Sequence, residues 1–183
     1  AAGTVVSVYA FVYGIGTPLL ALVVGRWRQD RVALVALALF VVVNILCALA
    51  PSYGLLIAMR AAAALCAAAY APAAYVMAAA SSQPDKRGSA LAAVALGSSG
   101  STVFGVPLGT FIGNHFGWPA TFMMIAIISI GAFAALVLRG PRTDEASPVL
   151  PLAERVAPLA RRRVWLALAP ILLMFCGIYA LYT

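Results

Sequence analysis

A single charged side chain, Arg60, stands inside the long apolar run at 54–80. An arginine offers a planar fork of five N–H donors, suited to gripping an acceptor group. In hydrocarbon it costs about 2.5–3.5 kcal/mol on insertion scales, so an intramembrane arginine raises a functional hypothesis. Two readings are open. Arg60 snorkels to the nearer interface, or it faces a wet cavity, a substrate or an acid. No Asp or Glu occurs in any apolar run of this sequence. Tyr9 and Tyr13 share one helix face at i, i+4 spacing, and Tyr70, Pro72 and Tyr75 follow Arg60 along its run. With the hydroxyls of Ser98 and Thr102, these tyrosines are candidates to line a substrate path. Interfacial belts or plain packing are the alternative for each tyrosine alone.

The second constellation is "GSSGSTVFGVPLGTFIG" at 97–113. Gly97, Ser101, Gly105, Gly109 and Gly113 recur every four residues, along one ridge of a helix. A ridge of small residues lets another helix approach closely. Pro107 removes the hydrogen bond to the carbonyl of Val103 and predicts a bend. Ser98, Ser99, Ser101 and Thr102 are expected to help satisfy freed backbone groups. Tight packing alone, or a gate that slides and seals, are both compatible with the pattern.

Hydrolytic, redox and metal chemistry is not signalled. Cys47, Cys66 and Cys176 fall in three different apolar runs without disulfide or metal spacing. His115 is the single histidine, with no Cys or acid beside it. The expectation is a protein that is not an enzyme and holds no metal or cofactor.

The elements that must position these residues follow from composition. Hydrophobic residues make up 64% of the 183 and charged residues 9%, with mean hydropathy +1.03. Soluble domains carry about 25% charged residues. Apolar runs at 5–24, 32–50, 54–80, 89–113, 119–138 and 164–183 are each long enough to cross a hydrocarbon core of about 30 Å. The fold class is therefore an all-α polytopic transmembrane bundle, with the lipid bilayer as its first partner. The runs at 32–50 and 119–138 are apolar nearly all round, Asn44 apart, and are expected at the periphery.

Eleven of the twelve Lys and Arg residues, all but Arg60, lie in the first, third and fifth gaps. The positive-inside rule places those gaps in the cytoplasm. The basic pI near 9.8 then reflects topology and lipid contact, not nucleic-acid binding. The start of the chain falls on the outer side, so an earlier span is expected before Ala1. The segment 139–163 contains four prolines and ends in "RRR". It reads as a cytoplasmic linker, either a plain loop or one with a short amphipathic helix at Leu152, Val156 and Leu159.

Several motifs, in this order and spacing, resemble the major facilitator superfamily, in particular its twelve-helix drug–proton antiporter group and the arabinose- and chloramphenicol-efflux-like permeases. "GWPATF" at 117–122 is similar to the opening of the sixth helix in these permeases. "GVPLGTFIG" at 105–113 is similar to the antiporter motif of the fifth. Arg60 matches the arginine of the fourth-helix motif linked to proton coupling, with Ala64 where a glycine is usual. "GRWRQDR" at 25–31 stands at the loop between helices two and three, so Gly25, Asp30 and Arg31 correspond to its latch motif, Asp30 one place late. "GIYALYT" resembles the start of the second half. The resemblance implies that residues 1–138 are most of the N-terminal half without its first helix. It likewise implies that 139–163 are the central linker and 164–183 the first helix of the C-terminal half.

The implied activity is alternating-access export of a small drug or sugar, with a proton gradient as energy source and the remainder of the chain as partner. The implied location is a bacterial inner membrane. A facilitator or importer on the same fold, and a structural membrane subunit without transport, are the alternatives.

Overall fold

The computed structural model describes residues 2–141, 164–166, 169–170 and 173. The chain divides into two compact units, Ala1–Ser147 and Pro148–Thr183. In the second unit, residues 164–166, 169–170 and 173 are helical. Most of the expected sixth span at 164–183 and of the linker at 139–163 lies outside the described residues. So do the amphipathic stretch at Leu152, Val156 and Leu159, and Cys176.

The first unit contains five helices: α1 (Ala2–Val24), α2 (Gln29–Ala48), α3 (Tyr53–Ala80), α4 (Arg87–Phe116) and α5 (Trp118–Arg139). Each covers one of the five apolar runs expected before residue 139. The shortest, α2, has 20 residues, or about 30 Å at 1.5 Å per residue. All five are long and apolar enough to cross a membrane. Connections are short, which makes sequence neighbours antiparallel. Ser52 caps α3, its Oγ accepting from the Leu55 N–H at 3.3 Å. Between α4 and α5 only Gly117 intervenes, at φ 84° and ψ 164°, a region open essentially to glycine alone.

The helix α3 is the organising element, packing against α1, α2 and α4, while α5 packs against α2 and α4. Its run of alanines explains this. Alanine has the highest helix propensity and too little bulk to hold neighbours away. Ala63, Ala64, Ala68 and Ala73 are fully buried. Close contact also comes from Gly16 of α1, where an added Cβ would stand 3.0 Å from Leu65 Cδ2 and 3.6 Å from Ala68 Cβ.

Two expectations need correction. First, α2 is not merely peripheral. Gln29, Asp30, Val32, Ala33, Ala36, Leu37, Asn44 and Cys47 bury one face of it, while Val35, Leu39, Val42 and Leu46 are exposed on another. Both stripes are mostly apolar, so hydropathy did not separate them: Val32 and Leu37 are buried while Val35 and Leu39 are exposed. Second, the expected cytoplasmic loop at 25–31 is shorter. Gln29, Asp30 and Arg31 already belong to α2, and only residues 25–28 connect the helices. Asp30 in the first turn has the sign that the positive end of a helix dipole favours.

Large apolar residues are widely exposed. Phe11, Ile15, Leu19 and Val23 form one outward stripe on α1, at the i, i+4 spacing of a helix face. A soluble monomer rarely exposes contiguous apolar patches beyond a few hundred Å². Here hydrocarbon takes the place of water.

Candidate functional site

Arg60 sits two turns into α3, about 10 Å along its axis from the start. Its guanidinium carbon lies 4.4 Å from the centroid of the Tyr9 ring and 5.4 Å from that of Phe122. Both distances fall within cation–π range, where a ring face attracts a cation. Three helices thus converge on one cation: α1 through Tyr9, α3 through Arg60 and α5 through Phe122. Tyr13 extends the aromatic wall, its ring parallel to that of Tyr9 within 7° at a centroid separation of 6.3 Å.

Ring faces hold the cation in place but leave N–H donors unspent. The Nε of Arg60 is buried and has no hydrogen-bond partner among the described residues. On α2, which packs against α3, Asn44 is fully buried. Its Nδ2 donates to the Phe40 carbonyl at 2.7 Å, and its Oδ1 is likewise unpartnered. A buried polar group left unpaired costs about 1–3 kcal/mol. Arg60, with its buried and unspent Nε, is suited to a visiting polar ligand that would satisfy it.

The other candidates are placed elsewhere. Tyr70 lies about 15 Å further along α3 than Arg60 and packs against the cluster of Val32, Ala33, Ala73 and Met77. Tyr75 is farther still along the same helix and exposed. Ser98 and Thr102 are exposed on α4. The hydroxyls of Ser101 and Thr102 both donate to the Ser98 carbonyl, at 2.7 and 3.4 Å. They therefore bond to their own helix one turn back, not to the carbonyl that Pro107 releases. Phe122 is the residue against Arg60 that sequence reasoning did not single out. It closes the "GWPATF" motif, which was the available signal.

The small-residue ridge of α4 is divided. An added Cβ on Gly109 would lie 3.6 Å from Thr121 Cγ2, and one on Gly113 only 3.2 Å from Thr121 Oγ1. The Thr121 hydroxyl donates to the Gly109 carbonyl at 3.4 Å, binding α5 to this end of α4. A Cβ added on Gly97 or Gly105 would meet nothing within 4 Å among the described residues, and no residue of α4 is buried. Among the described residues, the ridge therefore finds a close neighbour only at its Gly109–Gly113 end.

At the opposite end of the bundle, the α1–α2 connection is well ordered by polar contacts. Gln29 Nε2 donates to the carbonyls of Val24 (3.3 Å) and Trp27 (2.8 Å). Arg28 grips Asp30 through both Nη2 (2.9 Å) and Nε (3.3 Å). Gly25 continues α1 by one more bond, its N–H donating to the Ala21 carbonyl at 3.1 Å. Arg31 is exposed.

Five lipid-length helices with an intramembrane arginine define the class: an integral, polytopic, helical membrane protein. The chain belongs to the Major Facilitator Superfamily, whose family model matches residues 1–183. It is similar to the uncharacterized MFS-type transporter YbcL of Bacillus subtilis (strain 168), 32% identical over 183 residues, covering 100% of this chain and 47% of that protein. It is also similar to the chloramphenicol resistance protein of Streptomyces lividans, 33% identical over 185 residues, with 100% and 47% covered. A probable sugar efflux transporter of Mannheimia succiniciproducens is 33% identical over 136 residues, covering 74% of this chain and 33% of that protein. The chain spans about half the length of the curated relatives it matches throughout.

Proposed function

We propose that this chain is part of a secondary active exporter that moves small drugs or sugars by alternating access, driven by a proton gradient. The observation that carries this reading is Arg60, a cation held between the rings of Tyr9 and Phe122 with a buried, unpartnered Nε. A polar substrate group, or a carboxylate that gains and loses a proton, would use that donor in one state and release it in the other. Transporters of this kind bind near the bilayer midplane, between two helical repeats that rock about the site. The helix α4, none of whose residues is buried among the described residues, suits a surface that meets the second half during the cycle, with Gly97 and Gly105 permitting close approach. Export is favoured by the names of the similar proteins, one a chloramphenicol resistance protein and one a probable sugar efflux transporter.

The reading places the protein in a bacterial inner membrane, with residues 25–28, 81–86 and the linker at 139–163 in the cytoplasm. Single cysteines at Ser82 and Asn114 of the full-length protein test this. Ser82→Cys is expected to react with impermeant maleimide only from the cytoplasmic side, and Asn114→Cys only from outside. Labelling of both from the same side would contradict the orientation.

Transport itself is tested in cells that lack other exporters and express the full-length protein. Accumulation of labelled chloramphenicol and of a panel of pentoses and hexoses is measured with and without a protonophore. Lower accumulation of at least one compound, restored by the protonophore, is expected. Equal accumulation under all conditions would contradict export. Equilibration that ignores the protonophore would make the protein a facilitator.

A further inference from the structure

A cavity of about 650 Å³, not lined by Arg60, opens between α1 and α2 and against α3. Leu20 and Val24 line it from α1, Val35 and Leu39 from α2, and Leu65 and Ala69 from α3. At its loop end stand Trp27, Arg28 and Arg31. The groove is thus apolar along its length and cationic at one end.

Its dimensions say what fits. From Arg31 to Leu39, α2 advances about 12 Å. One leaflet's share of the hydrocarbon core is about 15 Å. The groove occupies a single leaflet, whereas a transmembrane helix would need a continuous face through both. An acyl chain needs only this depth. The charge at the mouth selects among lipids. Arg28 is paired with Asp30 at 2.9 Å, which balances one cation. Arg31 is exposed and makes no ion pair with a described residue, and Arg26 is exposed beside them. The excess is positive, so a net-negative headgroup is attracted more strongly than a zwitterionic one. Trp27 is 61% exposed at the level where tryptophans anchor helices to headgroups.

We infer that this groove binds an anionic phospholipid of the leaflet at the Arg26–Arg31 end. One acyl chain lies along Val35 and Leu39, and the phosphate lies at Arg31. Neither Arg60 nor transport is needed for this binding, which requires only that the helices cross a bilayer.

The test is native mass spectrometry of the full-length protein released from detergent, titrated with phosphatidylglycerol, phosphatidylethanolamine of matched chains, or glycerol phosphate. The wild type is expected to retain one phosphatidylglycerol about tenfold more tightly than phosphatidylethanolamine, since juxtamembrane arginines favour anionic lipid. Glycerol phosphate is expected to bind far more weakly than either lipid. Arg31→Gln removes most of the headgroup preference, while Arg31→Lys keeps it. Val35→Trp fills the groove and weakens both lipids alike. Both side chains are exposed, so thermal unfolding of these variants is expected to match the wild type. Equal retention of the two lipids by the wild type, lipid retention unchanged in Arg31→Gln and Val35→Trp, or glycerol phosphate binding as tightly as the lipid would each overturn the inference. No gradient or substrate is present, so failure of the transport reading leaves these outcomes intact.

Discussion

In the full-length protein, Arg60→Ala is expected to abolish gradient-driven export, at least a hundredfold in rate, while membrane insertion stays normal. Removing an intramembrane charge eases insertion. The packing of α3 does not depend on Arg60, because Ala63, Ala64 and Ala68 carry the contacts beside it. What the substitution removes is the cation between Tyr9 and Phe122 and its unspent Nε. Arg60→Lys is expected to be impaired as well, since an ammonium cannot reproduce the planar fork of donors. Tyr9→Phe retains the ring face and is expected to be mild, whereas Tyr9→Ala frees the guanidinium on one side and is expected to be severe. Export rate at matched membrane expression is the readout. Normal export by both Arg60→Ala and Arg60→Lys would reduce Arg60 to a side chain reaching for the interface.

The second large effect is expected on α4. Gly105→Leu and Gly109→Leu are expected to stop transport, and the structure separates their causes. A Cβ added at Gly105 would meet nothing within 4 Å among the described residues, so a side chain there starts without a clash in the five-helix packing. Loss of transport by that variant, with normal expression and melting, would locate the damage in a contact made elsewhere in the cycle. At Gly109 the added side chain meets Thr121. Overpacking costs about 1–3 kcal/mol, enough to bias two states that differ by a few kcal/mol. Gly16→Leu is the contrasting control. Its Cβ would stand 3.0 Å from Leu65 Cδ2, so it is expected to lower thermal stability and yield. Val103→Leu and Phe111→Leu, off the ridge and exposed, are expected to be mild. Pro107→Ala, which restores a backbone donor, is expected to slow turnover without preventing folding. Equal tolerance of leucine at Gly105, Gly109 and Val103 would mean that the ridge faces lipid throughout.

The spans were legible in the sequence because a bilayer makes one simple demand, a run of about 20 apolar residues. Five such runs became α1 to α5. The faces were harder to read. In water, a polar stripe marks the outside of a helix; in lipid, both sides are apolar, and residue type alone does not distinguish them. Hence α2 looked peripheral, although Ala33, Ala36 and Asn44 pack inward and Val35, Leu39 and Val42 outward. Helix starts were also blurred, since Asp30 and Arg31 look like loop residues yet belong to the first turn of α2.

The site was legible in part. Arg60 was visible as a lone intramembrane charge, and Tyr9 with Tyr13 as a spaced pair. Their meeting was not visible, since it depends on how α1 and α3 pack. Phe122 comes from α5, far away in sequence, and spacing carries no information across that distance. Tyr70 and Tyr75 illustrate the converse. They share a helix with Arg60, but a rise of 1.5 Å per residue carries them to another level of the bundle.

The central claim is that Arg60 couples substrate movement to a proton gradient, and flux in proteoliposomes tests it most directly. Full-length wild type and Arg60→Ala are reconstituted in matched amounts, a pH jump is imposed, and uptake of the substrate found in cells is followed with and without protonophore. The account expects the wild type to accumulate substrate above its external concentration only while the gradient lasts, and Arg60→Ala to show no gradient-driven accumulation. Equal accumulation by the two proteins, or wild-type flux that ignores the gradient, would contradict it.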